Sequence, residues 1–254
     1  MPDITLRILR GEKSGDSSFK DYVVPVEDGW VVLDAVHWAQ AHSANDLAVR
    51  WNCKAGKCGS CSAEVNGKPR LMCMTRMNEL PSDQPITIEP LKRFPRIKDL
   101  VTDVSFNYRM NKTIPPLAPK PREADGTYRM MQHDVDRIQE FHKCIECFLC
   151  QDVCHVMRDH GVEDFAGPRF FIRIAALAMH PLDTRDRLRQ LKDAHGIGYC
   201  NITKCCTEVC PEHIHITDNA IIPLKERVAG AFYDPLAWIW RKVRGKQADH
   251  KADR

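Results

Sequence analysis

The sequence predicts an α+β chain in two units, a strand-rich first half and a helical second half, on three observations. Apolar alternation and a tight-turn dipeptide mark the first region, and runs with helical spacing mark the last. A stretch containing Pro115, Pro116, Pro119 and Pro121 separates them and reads as a connector. At 254 residues and 43% apolar content the chain can build two packed cores. The boundary is expected between residues 105 and 120, giving units of 1–108 and 109–254.

Taken in order, Ile4, Leu6 and Ile8 alternate with polar neighbours and Tyr22-Val23-Val24 forms a second short run, so both are predicted strands. A helix is predicted around Val32–His42. Asn66-Gly67, between Ser62-Ala63-Glu64-Val65 and Leu71-Met72, is a strong hairpin signal because both turn positions tolerate positive φ. Beyond the connector, residues 137–141, 169–179 and 185–194 are helix candidates. Arg185, Arg187, Arg189 and Lys192 on the last read as a solvated face.

Charge excludes one class of function. Thirty-seven Lys and Arg against 34 Asp and Glu leave a formal charge of only +3, too balanced for the basic stripe of a nucleic-acid-binding protein. No run approaches the roughly 20 apolar residues that span a bilayer, and residues 1–10 lack the apolar centre of a secretory signal. A soluble or peripheral protein in the cytoplasm is expected. Twelve cysteines in that reducing compartment point to metal ligation rather than disulfides.

The cysteines fall into three groups. Cys53, Cys58 and Cys61 have the C-x4-C-x2-C spacing of plant-type [2Fe–2S] sites, with Cys73 as a remote fourth ligand. Such a loop must wrap its amides around an inorganic core, and Gly56 and Gly59 supply the permissive φ values. A structural zinc site is the rival, but zinc sites use two short pairs, whereas here three thiols crowd one loop.

Cys144, Cys147, Cys150 and Cys154 follow the C-x2-C-x2-C-x3-C spacing in which the fourth cysteine serves a neighbouring cluster, with His155 where proline usually follows. Cys200, Thr203, Cys206 and Cys210-Pro211 form a pseudo-repeat. The exchange assigns Cys144, Cys147, Cys150 and Cys210 to a [4Fe–4S] cluster and leaves Cys154, Cys200 and Cys206 for its neighbour. Thr203 stands where a thiolate is missing, so the third site is expected to hold [3Fe–4S]. Cys205 is left over and is expected to be a buried non-ligand; as a ligand it would make the third site [4Fe–4S].

Together these groups resemble the iron–sulfur subunit of the succinate dehydrogenase and fumarate reductase family. Arg96-Ile97-Lys98-Asp99-Leu100, Gly167-Pro168, Asp183-Thr184-Arg185-Asp186 and Val209-Cys210-Pro211 add to the likeness. The resemblance implies a plant-type (β-grasp) [2Fe–2S] ferredoxin domain followed by an all-α two-cluster ferredoxin domain. It also implies an electron-transfer subunit with no substrate chemistry of its own. Electrons from succinate would come from an FAD-containing flavoprotein subunit and pass through [2Fe–2S], [4Fe–4S] and [3Fe–4S] to a membrane quinone, with membrane-anchor subunits as further partners. Fumarate reduction, in the opposite direction, and another flavin oxidoreductase of heterodisulfide-reductase-like type are the alternatives. No flavin-binding glycine motif is present, since Gly196-Ile-Gly198 lacks a third glycine and a preceding strand. Many relatives carry a tryptophan and a histidine beside the quinone where this chain has Asp159 and Asn201, which puts the usual quinone site in question.

His155 adjoins a ligand cysteine and is expected to be either an ordinary packed histidine or a group that tunes the third cluster. His142, His213 and His215 have no iron-binding spacing. The aromatic run from Phe232 to Trp240, followed by Arg241, Lys242, Arg244 and Lys246, suits a membrane interface or a terminal segment packed on its own domain.

Overall fold

The computed structural model describes residues 3–12, 17–161 and 164–235. In the first half, β1 (Asp3–Arg10) places Ile4, Leu6 and Ile8 on one buried face, as its alternation requires. It pairs antiparallel with β2 (Ser18–Pro25) and parallel with β5 (Ile86–Glu89). Strands β3 (Ser62–Val65) and β4 (Lys68–Leu71) form the expected hairpin, Asn66 and Gly67 both taking positive φ. β3 completes the mixed sheet against β5, in the order β2-β1-β5-β3-β4. Helix α1 (Val32–His42) opens with Asp34 accepting the Val31 N–H at 3.2 Å and buries Val32, Leu33, Val36 and Ala39 in the core.

Two short strands follow, β6 (Arg96–Lys98) and β7 (Val101–Thr102), and between them Asp99 is locked in place. Its carboxylate accepts from Arg10 Nε at 2.9 Å and from the Gly11 and Ala48 amides. Helix α2 (Ser105–Lys112) runs across residue 108 and packs on the second half through Phe106 and Met110.

The second half is helical, but its helices are shorter and more numerous than the sequence reading. Residues 137–141 fall at the end of α3 (Gln132–Gln139) and in the 3-10 turn Glu140–Lys143. Short helices α4 (Leu149–Asp152) and α5 (His155–Arg158) precede α6 (Pro168–Ala178), which opens with proline in its first turn and buries Phe170, Phe171, Ile172 and Ile174. Residues 185–194 reduce to α7 (Leu188–Asp193). Helix α8 (Cys205–Glu208), a π-helical turn Ile216–Ile221 and α9 (Ile222–Phe232) close this unit.

Arg187 corrects the expectation of a solvated face. It is 2% exposed, pairs with Asp183 at 2.7 Å and donates to the Pro115 and Pro116 carbonyls. Arg185 also reaches the Pro116 carbonyl, at 2.8 Å. Proline removes backbone donors from the connector, and its carbonyls take guanidinium donors instead. Of the four basic residues, Arg189 is exposed.

Candidate cluster-binding sites

The first loop bends through three left-handed residues, Lys54, Gly56 and Gly59, with φ of 56°, 66° and 66°. This curvature turns amides toward the thiols. Ala55 and Lys57 donate to Cys53 Sγ at 3.4 and 3.3 Å, and the Cys73 amide donates to Cys61 Sγ at 3.5 Å. Burial opposes the Cys58 thiolate, yet hydrogen bonds from Cys53 and Ser60 outweigh it and bring the thiol down to about 7. Burial pushes Cys61 up to about 12, and Cys73 and Cys58 add to the repulsion. The four predicted thiols thus form one interacting set.

The other two sets are built by one repeated backbone. Left-handed Glu146 and Phe148 precede α4, and left-handed Ile202 and Lys204 precede α8, at a constant shift of 56 residues. The same shift carries Cys144, Cys147, Cys150 and Cys154 onto Cys200, Thr203, Cys206 and Cys210. Burial raises Cys147 to about 12, with Cys144 and Cys210 opposing its charge further. Cys150 is raised well above the ordinary thiol range by burial and by Cys147, Cys144, Cys206 and Cys210. Cys154 is raised to about 11 and Cys206 to about 12 by burial, and Cys200 and Cys205 are among their close neighbours. Cys144, Cys147, Cys150 and Cys210 line a common cavity.

These residues fit iron–sulfur clusters. Thiols held together in buried surroundings resist ionising alone, and a positively charged core with amides aimed at the sulfurs relieves both penalties.

The first two sets meet directly. A Cβ on Gly59 would lie 2.5 Å from Cys147 Cα, and Ser62 Oγ donates at 2.8 Å to the Cys147 carbonyl. Beside this contact Glu64, fully buried on β3, is held by Lys92 at 2.7 Å and by Arg158 of α5 at 3.2 Å. Burial and the Glu64 charge raise the Asp152 carboxyl to about 7, against the Arg93 amide that donates to it. Sequence reading missed Ser62, Glu64 and Arg158, because a polar residue in a strand or short helix carries no spacing signal.

Cys205 departs from expectation in one respect: it is half-buried rather than buried. It occupies the repeat position of Leu149, which packs in the core shared with the first half. His155 is half-buried and within 2.6 Å of Asn201, so the residue beside Cys154 and the residue after Cys200 join across the two runs. Asp159 pairs with Arg158 at 3.2 Å. His142, His213 and His215 are exposed, and His215 pairs with Glu140 at 2.7 Å. The aromatic and basic tail beyond residue 235 lies outside the described residues.

Residues 5–108 match the family described as a 2Fe-2S iron-sulfur cluster binding domain, and residues 140–214 match the 4Fe-4S dicluster domain. Over 218 residues the chain is 34% identical to the fumarate reductase iron-sulfur subunit of Mycobacterium tuberculosis, covering 81% of this chain and 84% of that protein. The chain belongs to the succinate dehydrogenase and fumarate reductase iron–sulfur subunit family. Another member, the fumarate reductase iron-sulfur subunit of Escherichia coli, is 31% identical over 224 residues, covering 84% of this chain and 88% of its own. A chain of the Mycobacterium smegmatis Sdh1 complex in the apo form superposes with a TM-score of 0.88 at 63% identity, over 92% of this chain and 98% of that one. As in the sequence reading, a [2Fe–2S] domain built on a sheet precedes a helical two-cluster domain in this family member.

Proposed function

We propose that this chain is the electron-transfer subunit of a succinate dehydrogenase. Cys53, Cys58, Cys61 and Cys73 would hold [2Fe–2S], Cys144, Cys147, Cys150 and Cys210 [4Fe–4S], and Cys154, Cys200 and Cys206 [3Fe–4S]. When bound, the clusters supply one-electron carriers between a two-electron flavin and a quinone. The observation that carries the reading is the series order of the thiol sets. The first touches the second at Gly59 and Cys147, and the second adjoins the third where Cys206 opposes the charge of Cys150.

The chain's own residues bind, space and insulate. Two units, 1–108 and 109–254, divide the work, with α2 bridging them. Glu64, Lys92 and Arg158 clamp the seam so that the separation of the first two sets is fixed. Thr203 leaves the third set one thiol short, the reason for assigning [3Fe–4S] there.

The partners are an FAD-containing flavoprotein subunit, membrane-anchor subunits and a quinone beside the third set or reached through the anchor. Exposed Tyr199 and Ile202 flank Cys200 and suit docking on such an anchor. Among the described residues no helix is long and apolar enough to cross a membrane, so the chain is proposed to sit peripherally on the cytoplasmic face. Asn201, bonded to His155, stands where relatives carry a histidine and would present a different polar edge to a quinone. Fumarate reduction is the second reading, favoured by the name of the 34% identical relative.

The test is low-temperature electron paramagnetic resonance on the complex purified anaerobically, as isolated, after succinate and after dithionite. The proposal expects an oxidised [3Fe–4S] signal that succinate abolishes while a reduced [2Fe–2S] signal appears. Reduction by dithionite alone would remove succinate as the donor.

A further inference from the structure

Arg169, in the first turn of α6, is buried to 1% exposure and lines the cavity ringed by Cys144, Cys147, Cys150 and Cys210. Its two terminal nitrogens are occupied, one by Asn111 and the other by Glu146. Its Nε–H has no hydrogen-bond acceptor among the described residues. A guanidinium is always charged and carries five donors. Burying one with a donor left over is costly unless negative charge lies alongside.

Glu146 does not supply enough. The same Oε1 that accepts from Arg169 also accepts from Arg173, so two cations share one carboxylate. The network therefore leaves one surplus positive charge against the cavity wall. Four thiolates around an iron–sulfur core are net negative, and each added electron makes them more so.

We propose that Arg169 sets the reduction potential of the cluster held by Cys144, Cys147, Cys150 and Cys210, raising it as a fixed buried cation whose spare Nε–H is available to a sulfur. Cluster potentials respond to net charge and to hydrogen bonds at sulfur, and a cation favours the reduced form because that form is more negative. The shared carboxylate has no counterpart in the other repeat: the 56-residue shift pairs Glu146 with the apolar, exposed Ile202 and carries Arg169 onto Lys225, whose Nζ donates to the Gly198 and Cys200 carbonyls instead of to a carboxylate. The two clusters of the helical half are thereby given unlike electrostatic surroundings by one ion network.

This inference rests on the ligand sets proposed above, and a mediated redox titration of the purified complex, read by electron paramagnetic resonance, tests it without succinate. Arg169→Met should lower the [4Fe–4S] midpoint, Arg169→Lys should lower it less, and Glu146→Gln, which strips the opposing charge, should raise it. The [2Fe–2S] midpoint should move less in all three. Arg169→Met with full iron content, an unaltered signal and an unchanged or higher midpoint would show that the arginine is only a clamp between α2 and the ligand loop. If Arg169→Met does not assemble, Glu146→Gln decides, and an unchanged or lower midpoint there overturns the proposal. Absence of any [4Fe–4S] signal from the unmodified complex would remove the ligand assignment itself, and the proposal with it.

Discussion

Gly59 and Cys147 touch backbone to backbone across the two halves: a Cβ on Gly59 would stand 2.5 Å from Cys147 Cα and 2.8 Å from its amide nitrogen. No side chain can be inserted there without pushing the first cysteine loop off the second. Gly59→Ala also places alanine at φ +66°, which costs about 1–2 kcal/mol on its own. The variant is expected to lower the unfolding temperature and, where it assembles, to slow reduction of the second cluster by the first. Thermal unfolding and freeze-quench paramagnetic resonance check the two effects.

Cys58 sits half-exposed in the first loop, and hydrogen bonds bring its thiol down to about 7. Cys58→Ser is expected to remove or alter the [2Fe–2S] signal while both helical-domain signals persist. Flavin reduction by succinate should continue and quinone reduction should fall to background. Unchanged quinone reduction would contradict the proposed electron route.

How much of this was legible in the sequence depended on periodicity. The cysteine spacings carry local signals, as do the strand at Ile4, Leu6 and Ile8, the Asn66-Gly67 hairpin and α1, and the structure places those three elements as read. Helices α4, α5 and α8 span four residues each, about one turn, so no apolar period can register in them. Helix α2 escaped because a polar run with one buried residue, Asn107, looks like linker. Arg187 and Arg169 were hidden for a related reason: a buried arginine is recognised by its partners, and these include Pro115 and Asn111, 72 and 58 residues away.

The Asp99 carboxylate accepts from three donors, Arg10 Nε and the Gly11 and Ala48 amides, on a residue whose backbone is left-handed at φ +46°. Arg10 keeps the exposed Asp46 at 2.8 Å, so removing Asp99 does not leave its charge unpaired, but it takes the acceptor from Arg10 Nε and from the Gly11 and Ala48 amides, at about 1–3 kcal/mol for a buried group left unsatisfied. Asp99→Ala is therefore expected to destabilise the sheet domain by that order. Asp99→Asn, which keeps the shape and one acceptor, should lose less. Denaturant unfolding monitored through the [2Fe–2S] absorbance distinguishes them.

The repeat relating Cys147 to Thr203 makes a sharper test of the third cluster. Thr203→Cys restores the thiol that the first repeat has at that position, and is expected to replace the oxidised [3Fe–4S] signal with [4Fe–4S] behaviour. Cys205→Ser should leave the [3Fe–4S] signal in place, because Cys205 occupies the repeat position of Leu149 rather than of a ligand. Loss of the signal in Cys205→Ser would make that residue a ligand.

His195 gives the helical half an acid sensitivity that can be isolated. The ring is buried to 2% exposure, packs 4.2 Å from Phe170 and has no partner for Nδ1 among the described residues. Burial lowers its folded-state value to about 4 from an ordinary 6.5. On acidification the unfolded chain therefore takes up this proton first. The contribution is whole above pH 6.5 and drains away as pH falls toward 4, amounting to roughly 3 kcal/mol across that window. Other groups titrate in the same range, so the informative quantity is the difference from His195→Gln, which cannot titrate. That difference should narrow or reverse as pH falls from 6.5 to 4. A parallel pH profile in the two proteins would mean that the imidazole becomes accessible to water before the domain unfolds.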